Sequence, residues 1–332
     1  MKHPSIAAIC LFVSLLASGP FASGQDIRAV PPDETEAVAQ AYDRFSERLG
    51  ALRAAIPVDY IDICPEKIHI ISTPAFDLDF IKSQLHSLKS LHMLYVAFSR
   101  MRDCGQLSAR FLRVYGDYLL WCFRIVKSGI EDAQRIPSYR CSENITPRSF
   151  PTELETLYQD ILQFITSEFN THVASTLHVA PLGDDEYPPL SPECEKEFFH
   201  DEFITLAEYS KNAILLTKDN PQNGHSILGI QYAVDVPILL YPMITHLKML
   251  NKLHATAPEA FNCQDAKEMF LQAYKEEVDW QNKQIELFRK HVEQLLASDL
   301  DLTQEDVALL KHLFDIFSLV EDSINDSVKQ LQ

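Results

Sequence analysis

Apolar residues recur at intervals of three and four along most of this chain, with acids and amides between them. That period matches about 3.6 residues per helical turn and marks amphipathic helices. The C-terminus shows it most clearly. Val307, Leu310, Phe314, Phe317, Ile324, Val328 and Leu331 form one stripe, broken at Glu321. Phe270, Tyr274, Val278, Ile285, Phe288, Val292 and Leu295 form another. The pattern predicts helices over 264–297 and from Thr303 to about 330, and the short connection "SDLDL" makes them an antiparallel hairpin. Leu309, Leu313, Ile316 and Leu319 widen the apolar face of the last helix, so more than one neighbour is expected on it.

Six further helices are expected upstream. The first covers 34–55, with Asp33 as N-cap. The second covers 74–103, with Thr73 as N-cap and Pro74 in the first turn, where its missing N–H is harmless. Ile81, Leu85, Leu88 and Tyr95 share one of its faces; Leu91, Leu94 and Phe98 share another. A third runs over 107–128 and stops at Gly129, and a fourth over 152–176 opens with the capping box Thr152 and Glu155. The stretch "APLGDDEYPPLSPE" then interrupts the pattern with prolines and acids. It reads as a linker or long loop over 180–192, between bundles at 25–179 and 193–332. A fifth helix is expected over 193–217 and a sixth over 226–254. The predicted class is all-α: about eight helices in one large bundle or two smaller ones. Scarce glycine, nine residues in the chain, agrees with few turns and no β-rich fold.

The sixth segment holds "ILGIQYAVDVPILLYPMITH", the most apolar run outside the N-terminus. A membrane span needs about 20 apolar residues, and Gln231 and Asp235 interrupt this one. Pro237 and Pro242 cannot donate to a sheet ladder, which argues against a central strand. A buried helix bent at the prolines remains. Such a bend leaves carbonyls without partners and can line a cavity, so Tyr232, Asp235, Pro237, Tyr241 and Pro242 are candidate contacts for a small apolar ligand. "KIHIIS" at 67–72 is the one alternative strand.

The first 24 residues change the expected compartment. Lys2, an apolar run over 6–17 and Ala22-Ser23-Gly24 form the pattern of a cleaved secretory signal. Its removal takes the formal charge from −18 to −19. That balance argues against nucleic acid and against an anionic membrane surface, and favours solubility or a partner with a basic surface. Export permits disulfides among Cys64, Cys104, Cys141, Cys194, Cys263 and Cys122, the last of which lies mid-helix in "YLLWCFRIV" and reads as a buried free thiol. Asn144 and Asn325 open N-glycosylation sequons.

Chemistry-bearing motifs are few. No nucleophile elbow, zincin helix, P-loop, dinucleotide fingerprint or EF-hand loop occurs. Two E-x-x-H pairs stand at Glu66–His69 and Glu197–His200, the spacing that di-iron bundles use. Crowding of Glu197, His200, Asp201 and Glu202 makes the second a weak metal candidate. Asp184, Asp185 and Glu186 beside Tyr187 form a candidate docking surface for a basic protein. His246 and His254 stand two turns apart, too far to share one ion, and read as core or surface histidines; His86 and His92, six apart, are not helical neighbours. The expected role is an exported, non-enzymatic binding module without a cofactor, engaging a macromolecule or a small apolar ligand. The alternative is a helical-bundle enzyme around Glu197 and His200.

Overall fold

A computed structural model describes residues 29–55, 68–101, 105–135, 149–183, 246–247, 250–251, 254–255, 266–297 and 304–331. Among these residues there are six long helices and no strand. They are α1 (Pro32–Ala54), α2 (Ile68–Arg100), α3 (Gly105–Arg135), α4 (Phe150–Glu168), α5 (Ala266–Leu296) and α6 (Gln304–Lys329). The all-α expectation holds. The helix expected over 193–217 and most of that over 226–254 lie outside the described residues; positions 246–247, 250–251 and 254–255 of the latter are helical. α4 continues through a π-helical segment, Phe169–Ala174, and a last turn, Ser175–Leu177. It stops at His178, whose φ of 54° is left-handed, the usual backbone geometry of a helix C-terminus.

Several element ends differ from the periodic reading. α1 begins at Pro32, with Pro31 as N-cap, so Asp33 falls in the first turn, where its charge meets the exposed N–H groups. α2 begins at Ile68, six residues before Pro74, and takes in most of the alternative strand. α4 begins at Phe150 behind Ser149, with no side-chain cap. Thr152 sits inside the helix instead, and its carbonyl accepts from Thr156 Oγ1 at 2.7 Å. Glu155 accepts from Gln134 at 2.8 Å, an interhelical contact in place of a capping box.

Gly129 does not end α3, which runs on to Arg135. A Cβ at Gly129 would stand 2.7 Å from Tyr158 Cε2, and one at Gly116 would stand 2.7 Å from Val173 Cγ1. Both glycines therefore set how closely α3 approaches α4 and its π-helical continuation.

α2 is the central element. Both of its predicted faces are buried, and it packs against α1, α3 and α5. α3 packs on α4, and α1 on α4, which closes α1–α4 into a bundle. α5 and α6 form the antiparallel hairpin, with Arg289 of α5 over the rings of Phe314 and Phe317 and 2.8 Å from Glu321 of α6. The apolar core is one continuous cluster that includes the hairpin, and Phe111 of α3 meets Phe270 of α5 at 6.2 Å. No described helix is long and apolar enough to cross a membrane.

Candidate functional site

Two carboxyl groups lie inside this apolar body, each between two imidazoles. The first is Glu168, at the junction of α4 and the π-helical segment. Tyr115 of α3 donates its hydroxyl to Glu168 Oε2 at 2.9 Å, and Tyr42 of α1 shares a 2.7 Å hydrogen bond with Tyr115. Gly116 lets the π-helical segment come close enough for this contact, because any side chain there would strike Val173. His92 Nδ1 of α2 is 3.6 Å from Glu168 Oε2, and His172 Nε2 is 3.7 Å from the same oxygen. His172 Nε2 also lies 3.6 Å from Glu34 Oε1 of α1. These three separations exceed a hydrogen-bond length.

Glu34 is the exposed member, with 39% of its side chain open to solvent; Glu168 and His172 are buried and His92 is 0% exposed. Neither ring nitrogen of His92 has a hydrogen-bond partner among the described residues. Tyr115, Tyr95 and His172 surround that ring, with centroids 5.4, 6.3 and 5.8 Å away. Arg100 fastens the rim: it donates to Val30 O at 2.8 Å and to Thr35 Oγ1 at 2.6 Å, which ties the end of α2 to the start of α1.

Burial sets the charge state of the centre. It lifts the Glu168 carboxyl to about 7, with the Tyr115 hydrogen bond opposing and the Glu34 charge adding to the rise. It pushes His92 down to about 3, helped by His172 and Arg100. His172 also falls, through burial, against the pull of Glu34. The Tyr42 and Tyr115 phenols rise well above their usual range, chiefly from burial. Burial thus favours the uncharged forms of Glu168, His92 and His172.

The second centre is Glu277 of α5. His86 Nε2 of α2 is 3.2 Å from its Oε2, His246 Nε2 is 3.7 Å from the same oxygen, and Gln281 donates to Oε1 at 2.9 Å. His86 stacks flat on Trp280 at 3.9 Å, and His246 lies edge-on to Tyr118 of α3 at 5.6 Å. Burial alone would raise Glu277, but His246, His86 and Gln281 outweigh it and hold the carboxyl down to about 2. His86 and His92 do not meet each other. At about 100° per residue, six residues place them about 120° apart around α2, one in each centre.

Among the described residues, no group of three or more His, Cys, Asp and Glu side chains is placed to hold a metal ion.

Most residues singled out from the sequence lie outside the described residues: Asp184, Asp185, Glu186, Tyr187, Glu197, His200, Tyr232, Asp235, Pro237, Tyr241, Pro242, Asn144, and five cysteines, Cys64, Cys104, Cys141, Cys194 and Cys263. Cys122 is a buried free thiol, as its apolar neighbours predict. Asn325 is exposed, but in α6 rather than in the surface loop a sequon favours, with Ser327 buried below it. The periodic reading passed over Glu168, His172, Glu34, Tyr42, Tyr115 and Glu277. A signal for two of them is present: Glu168 continues the Leu154, Leu157, Ile161, Ile165 stripe, and Glu277 falls within the stripe from Phe270 to Ile285.

Comparison with protein-family models, with curated proteins and with solved structures finds no match.

Proposed function

We propose that this protein is an exported, non-enzymatic helical binding module, which holds a small polar guest at the Glu168 centre. The observation that carries this reading is His92: a fully buried imidazole, with both nitrogens unbonded among the described residues. A buried polar group without a partner costs about 1–3 kcal/mol, so a guest that supplies a donor and an acceptor recovers that energy on binding. Glu34 gives the centre its contact with solvent. The guest is polar rather than apolar because Glu168, His172 and Tyr115 supply hydrogen-bonding groups around His92. Export and a basic macromolecular partner belong to the same proposal, supported by the signal-like leader and by the net charge of −18.

A helical-bundle enzyme is the second reading. It is favoured by a carboxyl that titrates at about 7 beside neutral imidazoles, a pairing suited to proton transfer. Its site would be Glu168 rather than Glu197 and His200.

Native mass spectrometry of the full processed chain tests the binding reading. A retained non-covalent mass, present in the wild type and absent from both His92→Phe and Glu168→Gln, is expected. A wild-type protein that carries no added mass, and gains no thermal stability from a small-metabolite extract, removes the support for it.

A further inference from the structure

Four acids on the described helices have a basic partner. Asp43 meets Lys89, Asp79 meets Arg53, Asp160 meets Arg48 and Glu321 meets Arg289, each at 2.9 Å or less. Glu168 and Glu34 differ. Among the described residues their charged-group contacts run to His92 and His172, and neither carboxyl pairs with a lysine or an arginine. Arg100, whose field reaches His92, gives its Nε to Val30 O and its Nη2 to Thr35 Oγ1. His172 Nε2 stands between the two acids, 3.7 Å from Glu168 Oε2 and 3.6 Å from Glu34 Oε1, too far to bond either. His92 brings Nδ1 to within 3.6 Å of the same Glu168 oxygen, and both of its nitrogens are unbonded.

On the binding reading given for this centre, and resting on it, we infer that the guest is a small primary amine, held as its ammonium ion between Glu168, Glu34 and His92. An ammonium carries one positive charge, three N–H donors and no acceptor. The centre offers the complement: the Glu168 carboxyl inside, the Glu34 carboxyl at the solvent side, and one bare acceptor nitrogen on the neutral His92 ring. A hydroxyl or carbonyl on the same guest supplies the acceptor that the His92 N–H lacks. An anion would meet two acids. A guest without charge would satisfy His92 and leave both carboxyls without a cation. A buried ion pair stands only where further hydrogen bonds meet its remaining lone pairs and protons. Tyr115, backed by Tyr42, already donates to Glu168 Oε2 at 2.9 Å, and His92 takes a second ammonium proton.

Binding of this kind displaces a proton. Burial and the Glu34 charge raise the Glu168 carboxyl to about 7 in the empty site, and a cation seated beside it favours the carboxylate. The groups facing Glu168 are Glu34 and Tyr42 from α1, His92, Tyr95 and Arg100 from α2, Tyr115 from α3, and His172 one turn along. Affinity for the amine should therefore rise as pH rises through about 7.

Three probes of similar size and different charge test the ligand class: ethanolamine, ethylene glycol and glycolate, titrated calorimetrically into the full chain after exhaustive dialysis. At about pH 8, ethanolamine should bind about tenfold more tightly than the glycol, and glycolate should not bind. At about pH 6 ethanolamine should weaken about tenfold, and its heat should vary with buffer ionisation as a released proton requires. Glu168→Gln should lose both the preference and the pH dependence. Glu34→Gln, at the solvent side, should weaken ethanolamine severalfold while leaving the glycol unchanged, and carries the test if the first variant does not fold. Glycol or glycolate binding as tightly as ethanolamine, or no binding of any probe, would overturn the amine. If a retained mass that Glu168→Gln loses is still seen by native mass spectrometry, the binding reading survives that result; without such a mass, both fall together.

Discussion

At position 92 the fold encloses an imidazole where a phenyl ring would pack without unmet hydrogen bonds. His92→Phe should therefore stabilise the guest-free protein by about 1–3 kcal/mol, read as a higher denaturant midpoint with an unchanged slope at neutral pH. A lower midpoint would mean that the ring is satisfied in solution and would undercut the binding proposal. Glu168 makes the opposite kind of demand. Its carboxyl is raised to about 7 from 4.5, so its contribution to stability is fully present below 4.5 and is lost as pH rises through 7. That loss amounts to about 3 kcal/mol between those limits. His92, lowered from 6.5 to about 3, contributes above 6.5 and loses its contribution as pH falls through 3. The two slopes oppose each other between about 4.5 and 6.5, so stability of the α1–α4 bundle should be level there and fall off on either side. Glu168→Gln should flatten the alkaline side, which urea titrations across the pH range would display.

At the level of single helices, Gly129 separates two ideas about what a glycine does. As a helix stop it would tolerate alanine and even gain from it, by about 1 kcal/mol of helix propensity. As a point of close approach to the Tyr158 ring it cannot, since that ring is itself fully buried and has no free space to turn into. Gly129→Ala should destabilise by about 1–3 kcal/mol, while Gly183→Ala, with nothing within 4 Å, should change little; thermal melts of the two variants make the comparison. Element type and approximate extent were legible in the sequence, because burial of a stripe enforces the 3–4 period seen in α2, α5 and α6. The stop at Gly129 was misread, because a local breaker signal carries no information about a ring arriving from α4. The carboxyl centres escape the sequence for a related reason. Glu168 and Glu277 occupy apolar stripes, but which imidazole meets each of them depends on the packing of α2, and no spacing along one helix encodes that. A π-helical segment has no periodic signature of its own either.

For the molecule as a whole, the continuity of the core is the physical statement with the widest reach. Phe270 of α5 is fully buried and meets Phe111 of α3, so the hairpin and the first bundle share apolar surface. Phe270→Ala should cost about 3–5 kcal/mol and shift one cooperative calorimetric transition as a unit. Two resolved transitions, with only one of them displaced, would assign the hairpin to a separate folding unit. The surface ion pairs between helices, such as Arg48 with Asp160 and Lys89 with Asp43, are largely exposed and contribute little to this cooperativity. Added salt should accordingly leave the midpoint almost unmoved.

The Cys122 thiol, sealed among aromatic and aliphatic side chains and lifted by burial to about 12, offers a clock for these motions. A maleimide can label it only while α3 is laid open, since the reactive thiolate needs both solvent and a lower proton affinity. Peptide-mapped labelling of that one sulfur over hours would time the rare excursions of the chain without any added dye, and a guest seated beside Glu168 should slow it.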